Sequence, residues 1–541
     1  MKRILEALQF ETQGEWSVDP KDIEYYSTDG SIFTLTPTAI FYPKDVIDVQ
    51  HLVRVVNEEA QKGTHVPLIA RGKGTDQAGG PLGTGIIIDF TRHMNQILDI
   101  SGDTVVVQPG TRYGHLQSEL KKIGRYIPAY PASVEICSIG GAVANNSAGE
   151  KTVKYGDTRT YVHSLKVVLS NGELLETARL DPYEVGAKKR EDTFEGTIYT
   201  KLDQILTKHS EFIRSQKPQV SKNSAGYALW EINKHNRFDL TKLIVGSQGT
   251  LCLVSEITLN TLPLPQHVNL TVSYYSDIHN AGNAVKELLH LKPSALEIVD
   301  NNLIHMVLEQ NPMLLKGLLP PRLPAIVLLT EFDDQDKSTI KKKLKIADHI
   351  YKKYAYDWVE KSDPEEQARL WKLRRSAAAV MWTIPGTKKA LPIIEDGVVP
   401  SALLSEFFER AYELFKKYDL EVAIWGHAGD GNLHMQPFMD LGKKEDRDKI
   451  FKLTDDFYEM IIDLGGSTSA EHNDGLMRSP YLPLLFDKEM IRLFEQVKKI
   501  FDPHAILNPY KKVGVTKHFV KLHVRKEYSI KSLQRKEQVD R

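Results

Sequence analysis

Read for polarity alone, the chain begins with a helical period and then changes it. Val46, Val49, Val53 and Val56 recur at intervals of three and four, which predicts an amphipathic helix within residues 43–63. VPLIAR (66–71), GIIIDF (85–90) and TVVVQPG (104–110) are instead short apolar runs bounded by glycine or proline, and they predict strands. A second helix is expected over 111–124, with Leu116, Leu120 and Ile123 turned inward and Gly124 just past its end. Asn171 and Gly172 within HSLKVVLSNGELLE signal a hairpin. Charge density rises between 178 and 226, as in VGAKKREDTFEG, and this stretch reads as a helical excursion over the surface. A strand pair is expected around KLIVGSQGTLCLVSEITL (242–259), and LPLPQ (262–266) reads as a boundary because prolines interrupt regular structure. Beyond it VNLTVSYYSD and AIVLLTEFDD alternate like half-buried strands, with helical patterns following at 279–290 and 337–353. Such strand-helix repeats predict an open sheet with helices on one side.

The expected class is therefore α+β. An N-terminal segment over 1–36 precedes a first domain over 37–265, a second over 266–512 and a basic tail over 513–541. The size alone asks for more than one core. From Thr516 onward eight Lys or Arg face three acidic residues with little apolar periodicity, which reads as a solvated tail able at most to touch a membrane surface weakly.

Charge and cysteine content exclude several classes of function. With 70 basic and 71 acidic residues the net charge is -1, so no nucleic-acid partner is expected. Cys137 and Cys252 are the only cysteines, too few for a disulfide framework or a cysteine-ligated metal or iron-sulfur site. No run of 18 uncharged apolar residues exists, so no transmembrane segment is expected. The expected location is the cytoplasm, with peripheral contact at the inner membrane face allowed.

Two glycine-rich loops carry the first chemistry. RGKGTDQAGG (71–80) follows a strand, so its amides can converge on a pyrophosphate with Arg71 or Lys73 nearby. It fails both the G-x-G-x-x-G and the P-loop patterns, and alone it is equally well a turn. SIGGAVANNSAGE (138–150) keeps small residues at nearly every position, which lets backbone approach a ligand closely. In the second half, HAGDGNLH (427–434) reads as a tight hairpin that brings His427 and His434 across from each other. STSAEHNDG supplies Glu471 as a third ligand for an open metal site, directly beside His472. A single histidine is more often a core or surface residue, but three such groups in glycine-rich loops favour a divalent metal: zinc, manganese or iron.

Together with TVVVQPG, the PAS at 131–133, KYGDTR (154–159) and VGSQGTL (245–251), the two loops resemble the FAD-binding domain of the vanillyl-alcohol oxidase type. HAGDGNLH, AEHND and the closing FDPHAILNP (501–509) resemble the C-terminal domain of FAD-linked oxidases that act on D-lactate, glycolate and D-2-hydroxyglutarate. The two resemblances cover about residues 20–512. They imply a two-subdomain FAD-binding domain followed by an α+β ferredoxin-like cap. They also imply pyrophosphate contacts from Arg71, Gly72, Lys73, Gly74, Thr75 and Asp76. Flavin contacts are implied from Gly140, Gly141, Ala148, Gly149, Gly156, Thr158, Gly249 and Thr250, with Pro109, Gly110, Ser133 and Asn508 also expected at the cofactor. His427, His434 and Glu471 are implied as metal ligands, His472 as the base or a substrate contact, and Asn432 as a substrate contact. Arg374 of LWKLRR is implied as the clamp on a substrate carboxylate, the less favoured alternative being an exposed helix charge beside Lys372 and Arg375. The implied activity is FAD-dependent oxidation of a small D-2-hydroxy acid, with electrons passed to a separate quinone, electron-transfer flavoprotein or cytochrome. A homodimer is an allowed assembly.

Two motifs depart from the family pattern. Ala470, Glu471, His472 and Asn473 stand where the family usually has Gly-Glu-His-Gly, and Cys252 stands where glycine usually follows Gly-Thr-Leu. No cysteine-rich iron-sulfur segment follows Pro509, so relatives with fused clusters are not full matches. Two other readings keep the flavin: a non-redox transferase of the alkyl-glycerone-phosphate synthase type, and the flavin subunit of a multi-subunit glycolate oxidase.

Overall fold

The computed structural model describes residues 8, 12–310, 312–315, 319–371, 374 and 386–529. The predicted first helix forms over Val46–Gln61, started by the Asp45 carboxylate, which accepts the amides of Ile47 and Asp48. It buries Val49, Leu52, Val53 and Val56 against a four-stranded sheet ordered Glu15–Ser17, Ala39–Tyr42, Ile86–Asp89, Leu68–Arg71. Its last three strands run parallel, so the chain end at Arg71 opens directly into the first glycine-rich loop.

A second, five-stranded sheet is antiparallel and ordered Ile97–Ser101, Thr104–Val107, Leu253–Asn260, Val162–Val168, Leu174–Glu176. The Asn171-Gly172 hairpin joins its last two strands, with Gly172 at φ +87°. The helix Tyr113–Lys122 buries Leu116 and Leu120, but Ile123 is 54% exposed. The helix has already ended at Lys122, and Ile123 leaves it at φ -105° with its side chain in solvent. The expected strand pair over 242–259 is one strand, Leu253–Asn260, preceded by a short helix over Thr241–Ile244. The charged excursion is helical as expected, over Pro182–Lys188, Phe194–Lys208 and Ser210–Ser215. Its middle helix is no surface ornament: Ile198, Tyr199 and Leu202 share a buried cluster with Leu493, Phe494 and Val497 of the late helix Lys488–Phe501. The end of the second half thus returns to pack on the first.

The remaining chain builds an eight-stranded sheet whose neighbours are all antiparallel. Its centre runs His267–Tyr275, Ile326–Asp334, Ala295–Asp300, Val422–His427, Asn432–Met439. The helices expected after the two alternating strands form over Ile278–Leu289 and Lys337–Tyr354, and Leu404–Tyr418 joins them on one face. Helices are not confined to that face: Leu303, Ile304 and Val307 of Asn301–Gln310 cover the other. Both faces are apolar, with Leu270, Val272 and Tyr274 on one and Tyr275, Leu328 and Phe332 on the other, so both need cover.

Residues 516–529 correct the expectation of a solvated tail. Thr516 caps a helix over Lys517–Leu522, and Val524 then pairs with Phe33. The Arg525 guanidinium donates to the Asp29 carbonyl and the Tyr528 hydroxyl to that of Gly30. Residues 530–541, where the rest of the expected tail falls, lie outside the described residues. Among the described residues no helix is long and apolar enough to cross a membrane.

Candidate active site

A cavity of about 500 Å³ lies where the two glycine-rich loops face the strands of the eight-stranded sheet. Of the residues expected at the cofactor, Arg71 to Asp76, Pro109, Ser133, Gly140, Gly141, Ala148 and Gly249 line it. The small residues there are sterically required: a Cβ on Gly140 would sit 2.6 Å from Pro109 Cβ. Three loops are tied together by side-chain amides. The Asp76 carboxylate accepts from Asn145 at 2.7 Å and from the amides of Ala78 and Gly80, and Gln248 donates to Asn145 at 3.0 Å. Asp76 therefore shapes the first loop through its side chain. Arg71 is likewise engaged, donating to the carbonyls of Tyr26 and Thr28.

Gly110, Gly149, Gly156, Thr158, Thr250 and Asn508 stand behind this wall and do not line it. Gly149 lies against the Tyr130 carbonyl, Thr158 donates to the Ser147 carbonyl, and Asn508 donates to the carbonyls of Gly80 and Gln248. Their work is to hold the loops that do. Both cysteines, Cys137 and Cys252, face the cavity as free, buried thiols, and burial pushes each well above the ordinary thiol range.

On the opposite wall the hairpin forms as predicted, with strands Val422–His427 and Asn432–Met439 joined by a 3-10 turn over Ala428–Asp430 and Gly431 at φ +70°. The register is diagonal: His427 pairs with Asn432 and Trp425 with His434, and the two imidazoles meet at 5.3 Å between ring centres. Glu471 Oε1 lies 3.0 Å from His427 Nε2 and 3.3 Å from His434 Nε2. Ligands held 2.0–2.2 Å from a tetrahedral centre stand about 3.4 Å apart, so these three buried donors fit one divalent ion. His472 stacks on His434 with ring centres 5.0 Å apart, and its Nδ1 abuts the Glu395 carboxylate. Arg374 is buried, not an exposed helix charge, and pairs with Glu297 at 2.5 Å. Its sequence neighbours 372–373 and 375–385 lie outside the described residues. Asn432 is fully buried, and its amide nitrogen donates to the Gly397 carbonyl, so it does not line the cavity.

Several functional neighbours were not anticipated. Asp396, at φ +68°, accepts the amides of Glu471 and His472 and the hydroxyl of Ser469, which fixes the loop that carries Glu471. Glu297 sits 2.7 Å from His427 Nδ1, Lys222 donates to Glu471 Oε2 at 2.7 Å, and Arg478 pairs with Glu395. For the carboxylates Glu297, Glu395 and Asp396 the one sequence signal is an acid inside an apolar run, in ALEIVD and LPIIEDGVV. Electrostatics divide the two imidazoles. Burial disfavours a charged His427, but Glu297 and Glu471 outweigh it and hold its pKa up to about 9. Burial, aided by His472, pushes His434 down to about 4 against the pull of Glu471. Glu471 itself is opposed by burial yet held well below the ordinary carboxylate range by Lys222 and His427.

Comparison with known proteins agrees with this two-walled arrangement. Residues 37–178 match the family described as FAD binding domain, and residues 264–512 match FAD linked oxidases, C-terminal domain. Glycolate oxidase subunit GlcD of Bacillus subtilis is 30% identical over 88% of this chain and 88% of its own length. A D-lactate dehydrogenase of Anaerostipes hadrus is 28% identical over 86% and 87%. A D-2-hydroxyglutarate dehydrogenase of Escherichia coli is 26% identical over 90% of this chain but only 49% of its own length, so the chain spans about half of that relative. Among solved structures, 4-ethylphenol oxidase from Gulosibacter chungangensis superposes with a TM-score of 0.68 at 16% identity, covering 96% of this chain and 98% of that one. An alkyldihydroxyacetonephosphate synthase superposes at 0.64 and 16% identity, covering 94% and 85%. The fold is that of the vanillyl-alcohol-oxidase-type FAD enzymes, in agreement with the resemblance read from the loops. With both halves matched in order and a relative at 30% identity along most of its length, the chain is an FAD-dependent oxidoreductase and belongs to the FAD-linked oxidase family.

Proposed function

We propose that this chain oxidises a small D-2-hydroxy acid, of the D-lactate, glycolate or D-2-hydroxyglutarate kind, to the 2-oxo acid. One divalent metal is held by His427, His434 and Glu471. The observation that carries the reading is that the acid-histidine cluster and the glycine-rich loops open onto one cavity, so a substrate held by the first lies against a cofactor held by the second. The names of the relatives support the same substrate class.

In this reading bound FAD supplies the hydride acceptor, and the metal supplies a Lewis acid for developing alkoxide charge. Arg374 receives the substrate carboxylate, because its planar guanidinium can bind two oxygens at once and fixes which face of C2 is presented. His472 takes the hydroxyl proton at Nε2, since its Nδ1 is turned to Glu395. A separate quinone, electron-transfer flavoprotein or cytochrome takes the electrons onward. The Bacillus subtilis relative is an oxidase subunit by name, which favours as second reading that this chain is the flavin subunit of a larger oxidase.

Anaerobic stopped-flow mixing of the FAD-loaded chain with D-lactate, glycolate and D-2-hydroxyglutarate tests both. Bleaching of the flavin by at least one acid supports the dehydrogenase reading. A flavin left oxidised by all of them, with metal present, overturns it for the isolated chain and leaves the subunit or transferase reading in its place.

A further inference from the structure

Glu297 lies within the strand Ala295–Asp300, among apolar neighbours, and is 1% exposed. A carboxylate is stable there only if both oxygens meet donors or charges. One does so on each side of the site: Oε1 is 2.7 Å from His427 Nδ1, and Oε2 is 2.5 Å from Arg374 Nη2. His427 is a proposed metal ligand and Arg374 the proposed carboxylate clamp, so this inference rests on the function proposed above.

We propose that Glu297 is a positioning residue that joins the metal side of the site to the substrate clamp. Accepting a hydrogen bond from His427 Nδ1 fixes the ring plane with Nε2 on the Glu471 side, where its lone pair would meet the ion that Glu471 shares. The second oxygen holds the Arg374 fork at a set distance from that ring, so the two groups that would grip a hydroxy acid share one rigid strut. Glu297 touches neither substrate nor reacting atoms, and it lies outside the cavity lining. Its effect passes wholly through the two residues it holds.

The pattern across variants separates this role from ordinary core stability. Glu297→Gln, Arg374→Met and the double variant are prepared loaded with FAD. Their Mn(II) dissociation constants are measured by chelator competition, and KM for the most active hydroxy acid is measured at saturating Mn(II). Removing an outer carboxylate partner weakens metal binding about 10-fold to 100-fold, so Glu297→Gln is expected to raise the dissociation constant by that factor and to raise KM as well. Arg374→Met is expected to raise KM while leaving the dissociation constant within about threefold of wild type. The double variant, which leaves no buried charge unpaired, is expected to keep the weakened metal site of Glu297→Gln.

A Glu297→Gln protein whose metal affinity and KM both match wild type overturns the proposal. If that variant fails to load FAD, a double variant whose metal affinity equals that of Arg374→Met overturns it instead. Wild-type protein that takes up no divalent ion overturns the metal reading and this proposal together, whereas wild-type binding with unchanged Glu297→Gln overturns this proposal alone.

Discussion

The two walls of the cavity do different jobs with different materials. On the glycine-rich side the surface is mostly backbone and small side chains: Gly72, Gly74, Gly140, Gly141, Ala148 and Gly249. On the other side it is a crowd of ionisable groups, in which the buried His427, His434 and Glu471 and the partly exposed His472 are backed by Glu297, Lys222, Glu395 and Asp396. A backbone wall binds by leaving room, so it fails when a substitution adds atoms. A side-chain wall binds by placing charges, so it fails when a substitution removes one. The walls should therefore be separable by experiment.

The largest expected effect breaks the charged wall alone. His434→Ala is expected to lower turnover on the order of a thousandfold, the scale of several kcal/mol of lost Lewis-acid stabilisation, with FAD content unchanged. Steady-state rates with a dye acceptor and the flavin-to-protein ratio check it, and loss of FAD together with turnover would mean that the walls are not independent. Arg374→Lys follows. Lysine keeps the charge but not the fork, and about 2 to 4 kcal/mol of lost orientation corresponds to roughly 30-fold to 1000-fold in kcat/KM. A variant within about threefold of wild type would leave Arg374 as a partner of Glu297 only, and Lys388 and Lys389 would then be the next substitutions to measure.

Gly140→Ala attacks the other wall. Its Cβ would lie 2.6 Å from Pro109 Cβ and 2.8 Å from the Pro109 carbonyl oxygen, so the loop must shift. Overpacking of this kind costs about 1 to 3 kcal/mol, and the flavin-to-protein ratio after purification is expected to fall while metal uptake stays at the wild-type level. Full flavin content would mean that the loop gives way without disturbing the cofactor.

The same contrast explains what could be read from the sequence. Glycine-rich loops and the HAGDGNLH hairpin are local, and a short motif carries most of their geometry. The strand-helix repeats after residue 266 were legible for the same reason, since periodicity is local. The partners behind His427 and Glu471 were not legible, because Glu297 and His427 are 130 positions apart and meet only when two strands pair. Lys222 lies in KNSAGY with nothing nearby to announce that it reaches Glu471. Residues 516–529 misled because their charge suggested solvent, while Phe519, Val520 and Val524 are too sparse to show a period yet are enough to dock on Ile32 and Phe33.

The smallest expected effect sits where the two walls join. Asn473 stands at φ +66°, a conformation that favours glycine, which the family pattern has at this position. Asparagine tolerates it, and its side chain adds what glycine cannot: the amide donates to the carbonyls of Asn145 at 3.0 Å and Gly246 at 2.9 Å, and the oxygen accepts from Lys512 at 2.8 Å. Asn145 and Gly246 belong to the glycine-rich side, whereas Asn473 follows directly on Glu471 and His472. Asn473→Gly keeps the backbone at ease and removes the bonds, while Asn473→Ala removes the bonds and adds left-handed strain. Both are expected to be less stable than wild type, by about 1 to 3 kcal/mol for carbonyls left without their donor. Alanine should be worse than glycine by about 1 kcal/mol, because the strain exceeds what alanine gains from a less flexible unfolded chain. In thermal unfolding of the FAD-loaded proteins that difference is roughly 1 to 3 °C. Equal midpoints for the two variants would mean that the backbone there relaxes freely. A glycine variant as stable as wild type would mean that the bridge between the walls carries no load.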